Sequence, residues 1–152
     1  MEATTIKPFY LAGISIRTTN EQGKSATDIP QLWSRFFSEN IIDKIPHKTD
    51  NTLYCAYTNY ELDHTRPYTT ILGCRVDSLD DLPAELTGKS IDGGAYLQFD
   101  AKGKIADGIV FQVWTTIWKT DIPRAFTTDF EVYGNHAQDP DKAEIPVFVA
   151  IK

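Results

Sequence analysis

Two segments of the chain repeat apolar residues at the spacing of an amphipathic helix. Asp28 precedes the first segment, with Pro30 in the first turn and Gln31 three residues on, which predicts a capping box at the helix start. This helix is expected to end before Pro46. The apolar positions of the first segment are Ile29, Leu32, Trp33, Phe36, Phe37 and Ile41. Those of the second, within Ile105–Lys119, are Ile109, Val110, Val113, Trp114, Ile117 and Trp118.

Other segments are short, rich in β-forming residues and bounded by turn residues, which predicts strands. The predicted strands are Phe9–Thr18, Thr52–Asn59, Tyr68–Val76, Gly93–Phe99, Asp129–Tyr133 and Ile145–Ile151. Asp77–Lys89 is acidic and rich in turn residues, which predicts a linker across the surface. Asp100–Lys104 is predicted to be a turn.

The predicted elements run strand, helix, strand, strand, and then repeat in that order. A duplicated β-α-β-β unit accounts for this order and predicts an α+β fold with an antiparallel sheet and two long helices. The halves cover about 1–89 and 90–152. Neither half has enough apolar surface to be stable alone, so residues 1–152 are expected to form a single domain with a shared core.

Composition narrows the functional classes. The chain of 152 residues is 41% apolar with a net charge of −6, which is typical of a soluble globular protein. Basic residues are scattered, and phosphate contacts need concentrated positive charge, so direct nucleic-acid binding is not expected. No signal peptide or membrane-spanning run is visible, which predicts a cytoplasmic protein. Cys55 and Cys74 are expected to be reduced thiols.

Asp129–Tyr133 carries the most informative polar residues. Strand residues alternate between faces, so Asp129, Glu131 and Tyr133 point one way and Phe130 and Val132 the other. Glu131 is then either exposed or turned into a hollow beside a tyrosine. The helices and strands are rich in aromatic residues, which form either ordinary core or the walls of a cleft. A cleft with aromatic walls and one carboxylate suits an organic cation.

Signatures of an enzyme are mostly missing from the sequence. His47, His64 and His136 lie in predicted loops at irregular spacing, so neither a metal nor another cofactor is expected. No nucleophile elbow or phosphate-binding loop is visible. General-base catalysis by Glu131 on a bound substrate stays open.

Several stretches together resemble the GyrI-like effector-binding domain, which occurs in AraC-type and MerR-type drug-responsive activators and as free-standing proteins. They are GISIRTTN, the W-x-x-F-F helix, YTNYE, GGAYLQFDAKG, WTTIW, RAFTTDFEVYG and the end VFVAIK. TTDFEVY is the most specific of them. The likeness extends from Phe9 to Lys152 and is greatest to single-domain members carried on mobile gene cassettes, which resemble modules that bind cationic drugs.

The resemblance implies two helices flanking a central cleft, in which a carboxylate pairs with a hydrophobic cationic small molecule. The glutamate of the DFE segment maps onto Glu131. The aromatic walls implied by the resemblance are Trp33, Phe37, Tyr57, Tyr96, Trp114 and Phe148. A helix-turn-helix domain is not visible. A small hydrolase with Glu131 as general base and a protein-binding module that acts on gyrase remain alternatives, and pairing of edge strands would give a homodimer.

Overall fold

The computed structural model describes residues 2–152, which form eight strands and two α-helices. All eight strands belong to one antiparallel sheet in the order β1-β6-β8-β7-β3-β4-β2-β5. The elements are β1 Ala3–Ile6, β2 Phe9–Thr18, α1 Ser25–Ser38, β3 Lys48–Thr58, β4 Tyr68–Val76, β5 Thr87–Ile91, β6 Gly94–Gly103, α2 Ile109–Lys119, β7 Thr128–Tyr133 and β8 Ala143–Ala150. The α+β class with its duplicated units is therefore confirmed.

The strand order shows the duplication directly. Exchanging β1–β4 with β5–β8 turns the order into its own reverse, so β3 and β7 lie side by side in the middle of the sheet. Each β-α-β-β unit also has a short strand in front of it, β1 or β5, which pairs with the other unit. Neither short strand was predicted, and β5 corrects the expectation that Asp77–Lys89 is entirely linker. These edge strands are short and polar, which hides them from pattern analysis.

Three predicted boundaries are wrong for local reasons. α1 begins at Ser25, and the Asp28 carboxylate accepts a hydrogen bond of 2.8 Å from the Thr18 hydroxyl instead of capping the helix. α1 also ends at Ser38, so Ile41 is not part of the helix. Ile41 is buried, but it belongs to a separate 3₁₀ turn that follows α1. The turn expected at Asp100–Lys104 is absent from the described chain, because β6 continues to Gly103 in register with β8.

Both helices pack against the same face of the sheet. Phe36 of α1 belongs to a buried cluster with Leu72 and Cys55 of the central strands. Trp114 of α2 packs with Val147 of β8, which is the register partner of Glu131. The opposite face has its own apolar cluster around Phe130. The space between α1 and α2 therefore lies above the central strands β3 and β7.

Gly13 and Gly73 are register partners at a close approach of β2 and β4. A Cβ on Gly73 would collide with the backbone of Ala12, so Gly73→Ala is expected to lower the free energy of unfolding by about 1–3 kcal/mol in urea denaturation. Gly134→Ala is the control, because its Cβ would meet Thr52 at an ordinary 3.8 Å. Equal stability of the two variants would contradict the close approach.

Candidate functional site

Glu131 lies in the centre of the sheet, on β7 opposite Cys55 of β3, and is 1% exposed. Three side chains donate hydrogen bonds to its carboxylate. The Tyr57 hydroxyl and the Trp114 indole N–H bind Oε2 at 2.6 and 2.7 Å, and the Tyr133 hydroxyl binds Oε1 at 2.6 Å. Both oxygens are thus held in place by neutral donors from β3, α2 and β7.

The electrostatics of Glu131 combine two opposing effects. Burial raises the pKa of its carboxyl above the ordinary value, while the hydrogen bonds from Tyr133, Tyr57 and Trp114 act in the other direction. Burial also raises the pKa of the Tyr57 and Tyr133 phenols well above their usual range, so both stay protonated as donors. Within residues 2–152, no basic side chain forms an ion pair with Glu131.

A cavity of about 270 Å³, here called the glutamate cavity, opens between the helices beside this carboxylate. Its size is close to the lower end of the range for small-molecule sites. Aromatic rings dominate its walls, with Tyr57 edge-on to Trp114 at 5.3 Å and His64 stacked on Trp118 at 5.3 Å. The lining residues are Asn20, Ser25, Ala26, Ile29, Pro30, Tyr57, Tyr60, His64, Tyr68, Val110, Phe111, Trp114, Trp118, Arg124 and Glu131.

Arg124 is a buried cation in the same cavity, and Asp129 neutralises it. Arg124 Nη2 donates to Asp129 Oδ2 at 2.7 Å, and the Tyr60 hydroxyl donates to the same oxygen at 2.6 Å. The backbone N–H of Ala150 donates to Asp129 Oδ1 at 2.8 Å. Burial, and then the charge of Arg124, lower the pKa of His64, which keeps its imidazole neutral at pH 7. Glu131 is therefore the acidic side chain at the cavity for which the described residues provide no basic partner.

A second opening of about 860 Å³, here called the tryptophan groove, adjoins the glutamate cavity. The groove contains Trp33, Phe37 and Tyr133, and Trp33 stands edge-on to Tyr133 at 4.8 Å. Tyr133 also binds Glu131, so the carboxylate is anchored from both openings. The residues common to both linings are Ile29, Pro30, Val110 and Phe111.

The structure separates the candidate site residues into those at the glutamate cavity, those in the tryptophan groove and those that line neither opening. Glu131, Tyr57 and Trp114 meet at the glutamate cavity, and Trp33 and Phe37 line the tryptophan groove.

Tyr96 and Phe148 line neither opening, which corrects their assignment as cleft walls. Phe148 is the register partner of Phe130 and stacks on it at 5.1 Å. Tyr96 contacts the same Phe130 ring edge-on at 5.5 Å. Phe130 points away from Glu131 because the two are neighbours on one strand, so these rings belong to the far side of the sheet.

Several residues in the cavity wall or directly behind it were not assigned from the sequence. Arg124 lies outside the strands and helices and shows no periodic signal. Asp129 lies on the same strand face as Glu131, and this alternation was the sequence signal that could have identified it. Its partner Arg124 is brought to it only by the folding of the chain. The histidine near Trp118, His64, lies in a loop whose position the sequence does not determine.

The described chain, residues 2–152, contains no cluster of three or more metal-ligating side chains. In the same residues no helix is long and apolar enough to cross a membrane.

Comparison with known proteins gives matches that cover nearly the whole chain. Residues 2–151 match the model of a family described as integron-associated effector binding protein. YobU of Bacillus subtilis (strain 168), named as a candidate transcriptional regulator, is 30% identical over 145 residues, covering 93% of this chain and 91% of that protein. The integron cassette protein VCH_CASS2 from the mobile metagenome of Vibrio cholerae has a TM-score of 0.77 at 29% identity, covering 99% of this chain and 95% of that one. SAV2435, solved bound to tetraphenylphosphonium, also has a TM-score of 0.77, at 18% identity, covering 100% and 94%.

Proposed function

The chain belongs to the family of integron-associated effector binding proteins, and from this premise we propose that it captures hydrophobic cations in the glutamate cavity, with Glu131 as counter-charge. One observation carries the proposal: Glu131 is 1% exposed, accepts three hydrogen bonds, and has no basic partner within the described residues. A buried carboxylate without a counter-charge is unfavourable in the empty site. A bound cation would relieve that cost.

The walls of the glutamate cavity favour a cation with an apolar surface. Tyr57, Tyr68, Trp114 and Trp118 present rings to the cavity. The face of an aromatic ring attracts a cation by roughly 0.5–2 kcal/mol, most strongly where water is excluded. Because those rings also provide apolar contact, a quaternary ammonium or phosphonium ion gains from charge and burial together. SAV2435, which shares the fold, binds such an ion, tetraphenylphosphonium.

Phenyltrimethylammonium and tert-butylbenzene form an isosteric pair that tests the proposal. The two compounds have the same shape and differ only in that the N⁺ of the first is a carbon atom in the second. Titration followed by tryptophan fluorescence is expected to show saturable binding of the cation, since Trp114 and Trp118 line the cavity. The neutral compound is expected to bind more weakly. Equal affinities for the two compounds would contradict a site selected by charge.

The affinity for phenyltrimethylammonium is expected to fall as the pH falls. The ionised Glu131 is the binding form, and burial raises its pKa above the ordinary 4.5, so the loss begins at a higher pH than for an exposed glutamate. Below the pKa that the Glu131 carboxyl has in the ligand-free protein, the affinity is expected to fall about tenfold per pH unit. The ligand itself does not titrate, and titrations from pH 8 down to pH 4, which is below the ordinary 4.5, measure the effect.

Glu131→Gln provides the control for that titration, because protonation of His64 at low pH would also disfavour a cation. Any pH dependence left in the variant reports His64 or another group. A wild-type affinity that is constant over the whole range would contradict the assigned role of Glu131.

A second candidate function is hydrolysis with Glu131 as general base, favoured by the raised pKa of its carboxyl and by its contact with Trp114. A base is most effective when its pKa approaches the working pH. Turnover of cationic aryl esters, followed by product formation, tests this candidate. It requires that Glu131→Gln abolish turnover, whereas the binding function alone predicts bound but unchanged ester.

A further inference from the structure

Exposed apolar side chains are concentrated at the tryptophan groove, which the proposed function leaves unused. Large apolar side chains are exposed at five positions within residues 2–152, and three of them, Phe37, Ile105 and Phe111, line this groove. Phe37 and Phe111 are 63% and 65% exposed, and they come from different helices, α1 and α2. Single exposed apolar residues are ordinary, but several around one opening are typical of a surface that a ligand covers.

The groove begins within one side chain of the carboxylate at the glutamate cavity. Tyr133 lines the groove, and its hydroxyl lies 2.6 Å from Glu131 Oε1. The ring of Tyr133 is in turn edge-on to Trp33 at 4.8 Å. Both helices contribute to the rim that the two openings share, here called the shared rim, which consists of Ile29, Pro30, Val110 and Phe111. A molecule held at Glu131 therefore reaches the groove by crossing this rim.

The lining of the groove suits an uncharged aromatic group. Trp33, Phe37 and Phe111 supply aromatic surface, on which a further ring packs favourably. Within the described residues this lining contains no basic side chain, so nothing there repels a cation bound beside it. Asp50 is the one acidic residue of the lining, but it is exposed and accepts a hydrogen bond of 2.9 Å from the backbone N–H of Thr52. Because water screens such an exposed charge, the groove depends on apolar contact.

The sizes of the two openings also indicate that a ligand uses both. The glutamate cavity measures about 270 Å³ and the tryptophan groove about 860 Å³. Sites for drug-sized ligands measure about 300–1,000 Å³, so a ligand much larger than one substituted ring extends beyond the glutamate cavity. The groove is the opening that lies across the shared rim and can receive the remainder.

We propose that the tryptophan groove is the second part of the ligand site, and that the natural ligand is a cation with two aromatic arms on its charged centre. Glu131 faces the charged centre, and one arm lies in the glutamate cavity against Trp114. The other arm crosses the shared rim to Trp33 and Phe37. The proposal rests on the proposed function and deepens it, because it narrows the ligand class from hydrophobic cations in general to two-armed ones.

Two quaternary ammonium ions test this inference, benzyltrimethylammonium and benzyldimethyl(3-phenylpropyl)ammonium. The first carries one aromatic arm, and the second carries the same arm together with another on a flexible propyl linker. We expect the two-armed compound to bind the wild-type protein at least about tenfold more tightly in calorimetric titration, as the burial of one further ring requires.

Phe37→Ala removes one ring from the groove at an exposed position. It is expected to reduce the affinity ratio of the two-armed to the one-armed compound at least about threefold, because the second arm loses part of its apolar contact. Tyr10→Ala is the matched control, since Tyr10 is also an exposed aromatic residue and lines neither opening. It is expected to keep the full ratio. Circular dichroism checks the folding of both variants.

Tryptophan fluorescence locates the second arm independently of affinity. Trp33 lines the groove, whereas Trp114 and Trp118 line the glutamate cavity. At saturation, the two-armed compound is expected to change the emission of the wild-type protein more than the one-armed compound does, because its second arm adds a contact with Trp33. In Trp33→Phe, which keeps a ring in the groove, that excess is expected to disappear.

Each outcome separates the inference from the function on which it rests. Equal affinities for the two compounds in the wild-type protein would overturn the inference and leave cation binding intact. An affinity ratio that Phe37→Ala and Tyr10→Ala keep alike, or an excess emission change that persists in Trp33→Phe, would place the second arm outside the groove and also overturn it. If neither compound binds, the proposed function fails. Should Phe37→Ala not fold, the wild-type affinities and Trp33→Phe decide.

Discussion

Replacement of Glu131 by Gln is expected to lower the affinity for phenyltrimethylammonium about 100-fold and to leave that for tert-butylbenzene nearly unchanged. Removing one partner of a buried charge pair costs about 2–5 kcal/mol, and 100-fold corresponds to about 2.7 kcal/mol. Gln keeps the size of the side chain and a carbonyl acceptor for the Tyr57 and Trp114 donors. The variant therefore removes charge with little change in shape. Calorimetric titration of both compounds measures the effect.

Glu144→Gln is the matched control for this result, because Glu144 lies exposed on the neighbouring strand β8. Its affinity for the cation is expected to stay within about twofold of wild type, since exposed charges are screened by solvent. A similar loss in both variants would indicate that the overall charge of the protein attracts the ligand. An unchanged affinity in Glu131→Gln would remove Glu131 from the binding site.

Asp129→Ala is expected to give the largest loss of stability at the site, about 3–5 kcal/mol in the free energy of unfolding. The change leaves the Arg124 guanidinium buried without a counter-charge and removes the acceptor of the Tyr60 hydroxyl. The backbone N–H of Ala150 also loses its partner. Urea denaturation measures the effect.

Asp121→Ala provides the comparison, because Asp121 is exposed and its change is expected to stay within about 0.5 kcal/mol. A double variant, Asp129→Ala with Arg124→Met, is expected to recover part of the loss, since it removes both charges. If Asp129→Ala were as stable as Asp121→Ala, the buried ion pair would not support the cavity.

Much of the fold follows from local pattern. The predicted strands Phe9–Thr18 and Tyr68–Val76 agree with β2 and β4 at both ends, because each is a run of β-forming residues bounded by polar or proline residues. The alternation of faces in β7 also placed Glu131 and Tyr133 on the same side. The hydrogen bond between Tyr133 and Glu131 agrees with that placement. The alternation of side chains between the two faces of a strand depends only on the backbone, so it can be predicted without knowing the fold.

The rest of the site depends on contacts between distant segments. Tyr96 was expected in the cleft because the family resemblance implied an aromatic wall at this position, but register pairs decide which face such a ring occupies. Arg124 reaches Asp129 from an irregular segment whose path is fixed by its bridge to Ile151. The short strand β5 is polar and obtains its pairing from β2. None of these three features has a periodic signal in the sequence.

A crystal structure with (4-bromophenyl)trimethylammonium tests the central claim most directly, because anomalous scattering locates the bromine independently of the protein. The account predicts one bromine peak in the glutamate cavity, with the ammonium nitrogen within about 6 Å of the Glu131 carboxylate, the range over which an opposite charge favours an ionised group. A peak in the tryptophan groove or on the outer surface, with the glutamate cavity empty, would contradict the account.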